Sequence, residues 1–370
     1  MTTLRETKSP SLLKLRLRKF RRLKRGYYSF LVLVAVYLLS FLLPFLVGNR
    51  ALMVRYDGAH YFPAFRTYLH QTFGYFPKLG FFQDRAYPPQ ELGQDSVAVT
   101  TDFRALQQQY TEEDSGNFVL MPLLPYSSNE QFLDVAEEPP NHPSSDHWLG
   151  TDDRGRDVFA RLVYGFRISI SFALVVTCTA YLIGTLTGAI LGYFAGWIDL
   201  IGLRLVEIWG AIPFLYTVII VSSMLSPNFA ILASVLAAFG WLGILYYIRG
   251  EFYREKSKDY VAAAHAIGES DLRIIVQHIL PNSLTPIIAF APFAIVLNIN
   301  TLVALDFLGF GLPAPTPSWG ELIGQGKANW RDWHLVVFPL VAMFITLQLI
   351  VFIGEAVREA FDPKVFSRLR

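Results

Sequence analysis

The chain has one cysteine in 370 residues, Cys178, and it lies inside an apolar run. No intrachain disulfide can form, and a lone small thiol in that setting reads as a packing residue. Charge is also scarce: 17% of positions are charged and 53% are apolar, whereas a soluble domain carries roughly 25% charged residues. With a mean hydropathy of +0.36, the simplest environment for such a chain is a bilayer. Histidines number only seven. Their closest grouping, His142 and His147 with Asp146, falls in a Pro- and Ser-rich stretch, and no metal site is expected. The apolar runs hold no Ser-His or paired-carboxylate constellation at useful spacing, which argues against a membrane-embedded hydrolase. Neither a repeat nor a low-complexity tract occurs. The net charge of +2 says little about partners until it is divided by region.

What is present is a series of apolar runs near the roughly 20 residues that cross about 30 Å of hydrocarbon. They cover 28–48, 168–196, 203–225, 229–248, 284–305 and 335–354 and predict an all-α integral membrane protein with six transmembrane helices. Ahead of the first run, ten bases in residues 5–25, among them Arg5 and Lys8, stand against one acid, Glu6. By the positive-inside rule this holds the basic segment 1–27 in the cytoplasm. A cleaved signal peptide is the competing reading, but the run is long for one and ends in Leu-Val-Gly-Asn-Arg without a small-x-small site.

Six crossings that start inside place 49–165 outside and return 249–282 and the tail 359–370 to the cytoplasm. The outer segment is acidic, with Glu112, Glu113, Asp114, Glu137, Glu138, Asp152, Asp153 and Asp157, while the inner one carries Arg249, Arg254, Lys256, Lys258 and Arg273. That asymmetry agrees with the orientation. The outer segment is too long for a turn and is expected to be ordered, mixed and exterior. Turn signals such as those in 138–143 disfavour long helices there.

In the second run Gly184, Gly188, Gly192 and Gly196 recur every fourth residue and predict one helical face open to close backbone approach, most simply to a neighbouring helix. A subunit interface or a pathway wall is the alternative. Arg204 and Glu207, three apart, are expected to pair near a membrane surface, an ion pathway being the other reading. Pro213 in the same run predicts a kink.

The hydrophilic segment 249–282 contains Asp-Tyr-Val-Ala-Ala-Ala-His-Ala-Ile-Gly at 259–268 and ends in Leu280-Pro281. Locally this reads as helix, turn, helix. Ala262, Ala263, Ala264 and Ala266 favour helix, Gly268 suits a left-handed helix end, Ser270 can cap the next helix, and Pro281 marks a boundary before the fifth run. A smooth alanine-faced helix projecting into the cytoplasm is suited to insertion in a partner's groove.

This stretch resembles the EAA loop of ATP-binding cassette (ABC) importer permeases, with Ala263, Ala264, Gly268, Leu280 and Pro281 at matching positions. Ala262 stands where that family often has Glu, and His278 where it often has Ile. The segments 149–157 (Leu-Gly-Thr-Asp-Asp-Arg-Gly-Arg-Asp) with Arg161, Gly165 and Arg167, 305–313 with 317–321, and 354–363 are similar to dipeptide and oligopeptide permeases. The outer stretch 54–63 and the tail look most like the branch associated with import of microcin C and related peptides. The resemblance implies the type I ABC importer permease fold, with a core at 166–358 and a periplasmic insertion between helices 1 and 2, in a bacterial inner membrane. It implies ATPase coupling through Ala262, Ala263, Ala264, Gly268, Leu280 and Pro281. Implied partners are a second homologous permease, a cytoplasmic ABC ATPase that carries ATP and Mg, a periplasmic solute-binding protein and the lipid bilayer. No cofactor on this chain and no nucleic acid are expected. Substrate-binding residues cannot be assigned.

Gly320 to Ala328 superficially looks like a phosphate loop, but Glu321 occupies a required glycine position and Ala328 replaces the magnesium-binding Ser or Thr. An outer interfacial element around Trp319, Trp330 and Trp333 is expected instead. A sensor is the remaining alternative to a transporter, and it would leave the alanine loop without a motor.

Overall fold

The computed structural model describes residues 12–73, 92, 101–113, 116–132, 138–328 and 331–361. Arg5, Glu6, Lys8, Asp114, Glu137, Trp330 and the tail from residue 362 to Arg370 lie outside the described residues. Lys24–Leu46, Val158–Phe194, Phe229–Lys256, Thr285–Phe307 and His334–Phe361 are each long and apolar enough to cross a bilayer. We number these the first, second, fourth, fifth and sixth spans. The third is broken: Gly196–Gly210 and Phe214–Met224 meet at 66°. Pro213, the N-cap of the second piece, has no N–H to donate and its ring collides with the preceding turn, so a full break replaces the expected kink.

The second span is longer than its apolar run. At 37 residues it measures about 55 Å, because residues 158–167 continue the helix outward and satisfy their charges locally. The fourth span likewise runs on to Lys256, so residues 249–256 are helix rather than loop.

The chain divides into two compact units. The first comprises Met1–Ala35, Ile168–Ala314 and Leu340–Arg370. Its centre is apolar, with Phe172 and Val176 of the second span, Leu232 and Leu236 of the fourth, and Leu302 and Leu305 of the fifth in one cluster. Glycines let the helices approach. A Cβ on Gly188 would lie 2.7 Å from the Leu245 carbonyl oxygen, and one on Gly192 would lie 2.7 Å from that of Arg249. A Cβ on Gly184 would lie 2.5 Å from the Trp241 oxygen. These three face the fourth span of the same chain. Gly196 does not belong to the ladder: it follows the end of the second span, has φ +55° and would meet nothing within 4 Å. Its conformation turns the chain into the third span, a role that glycine fills without a Cβ penalty. Cys178 is exposed on its helix rather than packed inside the chain. Arg204 pairs with Glu207 at 2.5 Å, both exposed.

The second unit comprises Val36–Arg167 and Pro315–Pro339. A three-stranded antiparallel sheet, β1 (Met53–Tyr56), β2 (Ala59–Tyr61) and β3 (Phe118–Leu120), has the order β2-β1-β3. Asp57 and Gly58, with φ of 48° and 77°, make the two-residue turn that joins β1 to β2. Helix Phe103–Glu113 packs Phe103, Leu106 and Tyr110 against Val54 and Val119 of the sheet. Asp102 caps it by accepting from the amides of Arg104 and Ala105 at 3.0 and 3.2 Å. The described part of residues 49–165 is thus mixed and adds a small sheet to an otherwise helical chain.

The same unit contains a buried knot of charge. Arg156 Nε donates to Asp152 at 2.7 Å and its terminal nitrogen to Glu321 at 3.0 Å. Arg161, fully buried, pairs with Glu321 and donates to the Ser128 carbonyl at 3.0 Å. Burial alone would pull the Arg156 guanidinium down, but hydrogen bonds and charge from Asp152 and Glu321 outweigh it and raise it. Glu321 lies in helix Trp319–Ala328, so the glycines of the phosphate-loop look-alike are helical. Trp319 is buried and donates to the Leu162 carbonyl at 3.0 Å rather than marking an interface, whereas Trp333 is exposed. His147 pairs with Asp157 at 2.8 Å, and Asp146 accepts from Ser145 instead. Among the described residues no group of three ligands gathers for a metal.

Candidate functional site: the loop between the fourth and fifth spans

The loop is built from the end of the fourth span. Glu255, buried there, accepts from Lys258 Nζ at 2.7 and 2.8 Å and from the Tyr260 hydroxyl at 2.8 Å. Burial and this bond push the Tyr260 hydroxyl up. The chain reverses around that carboxylate and enters the short helix Asp259–Ala266. The helix ends as its glycine predicts: the Gly268 amide bonds the His265 carbonyl at 3.0 Å and the Glu269 amide bonds that of Ala264 at 3.1 Å, with Gly268 at φ +80°. Both bonds satisfy carbonyls that a helix end leaves open.

Ser270 occupies the next N-cap, but its side chain makes no capping bond. The chain then runs through Asp271–Arg273, a π-helical turn Ile274–Ile279 and Leu280–Ser283 into the fifth span. Pro281 sits in the first turn of Leu280–Ser283, where a missing amide costs little. The helical path therefore continues through Pro281 instead of stopping at it.

The two sides of this loop differ. Val261 and Ala264 are buried with Ile248, Phe252, Ile274 and Ile279, and Leu280 packs partly against them. Ala262, Ala263, Ala266 and Gly268 are exposed, and beside them Ile267 and Leu272 are 77% and 73% exposed. The loop thus presents a smooth apolar face on a rigid base. Ala264, expected on that face, belongs to the base.

Polar contacts that the sequence does not reveal hold the base to other spans. Tyr193, near the end of the second span, donates to Asp271 at 2.5 Å, and its carbonyl accepts from Lys256 at 2.5 Å. Arg249 grips Asp199, at the start of the third span, with two bonds of 2.5 Å, and Tyr253 adds a third. His278 pairs with Glu269 at 2.6 Å across the loop, which gives the departure from an apolar residue at 278 a structural use. The partners lie 9 to 78 positions apart, and their one sequence signal is polarity at the ends of apolar runs.

Residues 184–367 match the family described as binding-protein-dependent transport system inner membrane component. The inner membrane ABC transporter permease protein YejE of Escherichia coli K12 is 37% identical over 351 residues, covering 93% of this chain and 95% of its own. The chain belongs to this permease family. The peptidoglycan transport system permease protein YejE of Agrobacterium fabrum is 36% identical, covering 95% of this chain and 93% of its own. The dipeptide transport system permease protein DppC of Bacillus subtilis is 35% identical over 67% of this permease and 77% of its own length. Among solved structures, the inward-facing MetNI methionine ABC transporter matches with a TM-score of 0.44 at 16% identity, over 55% of this chain and 96% of that chain.

The fold is that of a type I ABC importer permease, and the chain is a transport subunit in the inner membrane, not an enzyme. In this permease the loop packs on the end of the fourth span and runs on through helical turns from Asp271 into the fifth, so force applied to its exposed face reaches both. Gly268, at φ +80°, is a point at which that geometry depends on backbone conformation. A Cβ there meets nothing within 4 Å, so any effect of substitution is conformational. Gly268→Asn is expected to keep the loop, since asparagine tolerates positive φ, while Gly268→Val destabilises it by about 1–2 kcal/mol or more. Hydrogen exchange of the Glu269 amide checks this. Equal protection in both variants would show that the left-handed conformation is not required.

Proposed function

We propose that this permease forms half of a translocation pathway for short peptides or peptide-bearing compounds and docks a separate cytoplasmic ATPase on Ala262, Ala263, Ala266, Ile267 and Leu272. The single observation that supports docking is the exposed apolar face fixed to a buried base. An apolar face at the end of two spans loses little side-chain entropy on being covered and transmits rigid-body motion. ATP and Mg belong to that partner ATPase. A second homologous permease completes the pathway, and a periplasmic solute-binding protein delivers the cargo.

The relatives support the cargo class. Their names cite dipeptides and peptidoglycan, and a peptide linkage is the chemistry these share. Microcin C, a peptide-bearing compound, falls within the same class. The proposed orientation puts both termini and the loop in the cytoplasm, with residues 49–165 in the periplasm, and the basic N-terminal segment supports it.

Ala263→Arg tests the docking face without touching the base. Co-purified in detergent with its neighbouring permease and ATPase, the variant is expected to retain the second permease and lose at least about tenfold in bound ATPase, a change of roughly 1.4 kcal/mol. Undiminished ATPase on the variant would remove the face from the coupling surface. No ATPase on the wild type would return weight to a sensor.

A further inference from the structure

Between residues 12 and 25 the chain carries eight bases and no acid, and most of this stretch forms the helix Leu12–Arg22. The bases divide by face. Lys14, Arg18, Arg21 and Arg22 follow the i, i+4, i+7, i+8 spacing of one helical side, and all four are exposed. Arg16 and Lys19 turn the other way, onto the end of the sixth span. The Arg16 guanidinium lies 5.0 Å over the Phe361 ring, and Lys19 Nζ donates to the Glu359 carbonyl at 2.5 Å. Arg16 and Lys19 thus pack on the sixth span, while Arg18, Arg21 and Arg22 are exposed on the other side.

The helix sits beside the start of a span. It joins the first span almost directly, and Phe20 meets the rings of Tyr27 and Phe30 edge-on at 6.2 and 6.0 Å, aromatics of the kind that mark a membrane boundary. At the junction opens a cleft of about 340 Å³, with Arg22, Lys24 and Arg25 on one wall and Glu355 and Glu359 on the other. Its floor includes Gly26, where a Cβ would stand 2.7 Å from the Phe352 carbonyl oxygen. Three cations beside two carboxylates suit a phosphodiester whose neighbouring group donates hydrogen bonds.

We infer that this basic helix is a docking surface for anionic phospholipid and that the cleft seats one headgroup of the phosphatidylglycerol type. The phosphate lies against Arg22, Lys24 and Arg25, and the glycerol hydroxyls donate to Glu355 and Glu359. The exposed bases Arg18 and Arg21 meet further anionic headgroups. The occupant is a lipid rather than a soluble phosphate because the surface is continuous with a span and its charge complements an anionic leaflet. The inference rests on the permease reading only in requiring that Lys24–Leu46 cross the bilayer.

Native mass spectrometry of the full-length permease, released from mixed micelles of phosphatidylglycerol and phosphatidylcholine, tests it. The wild type is expected to retain phosphatidylglycerol and shed phosphatidylcholine. Each exposed base near an anionic surface contributes roughly fivefold, so the variant K14Q/R18Q/R21Q/R22Q is expected to lose at least about tenfold in retention. R18K/R21K/R22K, which keeps the charge, is expected to match the wild type within about threefold. Raising salt from about 50 to 500 mM should release the lipid from the unmodified chain, which tests the charge dependence even if the glutamine variant fails to fold.

Equal retention of both lipids, or of phosphatidylglycerol by the glutamine variant, would overturn the assignment. Competition by glycerol 3-phosphate as strong as that by phosphatidylglycerol would replace the lipid with a soluble phosphate. ATPase pull-down with the same samples is independent of these outcomes, so failure of the lipid site and failure of the transport reading are distinguishable.

Discussion

Replacing Glu321 by alanine is expected to destabilise the second unit by about 3–5 kcal/mol. Arg156 and Arg161 are almost wholly buried, and Glu321 is one of the two carboxylates that balance them. Without it both guanidiniums share Asp152, which Arg161 reaches at 3.5 Å, and the bonds from Arg161 to the Ser128, Pro315 and Thr316 carbonyls offset only part of the lost charge. Glu321→Gln keeps an acceptor but not the charge and is expected to cost about 1–3 kcal/mol. Because the Glu321 side chain is 21% exposed, water screens some of the loss and both values fall toward the lower end of their ranges. Unfolding of the detergent-solubilised chain, followed by proteolysis at Arg154 in its exposed turn, reads the effect. A Glu321→Ala chain as resistant as the wild type would show that the knot adds nothing to stability.

That knot also shows what the sequence can and cannot disclose. Asp152, Arg156, Arg161 and Glu321 all stand in segments similar to peptide permeases, so their importance was visible. Their association was not, since Glu321 lies 165 positions from Arg156 and only the fold brings them together. The spans were legible because hydrocarbon imposes a length and an apolar composition that few other environments impose. Their ends were less so. The second span begins at Val158 because Arg161 finds partners within the second unit and Arg167 reaches the Ser40 carbonyl at 3.3 Å, and composition alone carries no record of those partners.

In the loop, Gly268 and the alanines were legible from spacing, but their division into an exposed face and a buried base required the packing of Val261 and Ala264 against the fourth span and the π-helical turn. The contacts of Asp199 with Arg249 and of Tyr193 with Asp271 depend on which helix ends meet, a tertiary matter that no local propensity encodes.

The glycine face of the second span leads to an equally large expected effect. Gly188→Leu should prevent accumulation of folded chain, because the helices there meet backbone to backbone. Even the Cβ of Gly188→Ala would lie 2.7 Å from the Leu245 oxygen and 3.1 Å from the Ile248 Cβ. The second and fourth spans must then part by several tenths of an ångström, at a cost of about 1–3 kcal/mol. In a bilayer no hydrophobic gain between helices compensates for lost contact, since lipid is as apolar as leucine. Two controls separate packing from backbone conformation. Gly243→Ala, where nothing lies within 4 Å and φ is not positive, is expected to change stability by less than about 0.5 kcal/mol. Gly196→Ala, equally open but at φ +55°, is expected to cost about 1–2 kcal/mol through strain alone. The folded fraction after heating in detergent, measured by size-exclusion chromatography, ranks the four variants. If Gly188→Leu survived as well as Gly243→Ala, the second and fourth spans would not be in backbone contact at Gly188, and the glycine face would be free for a partner subunit.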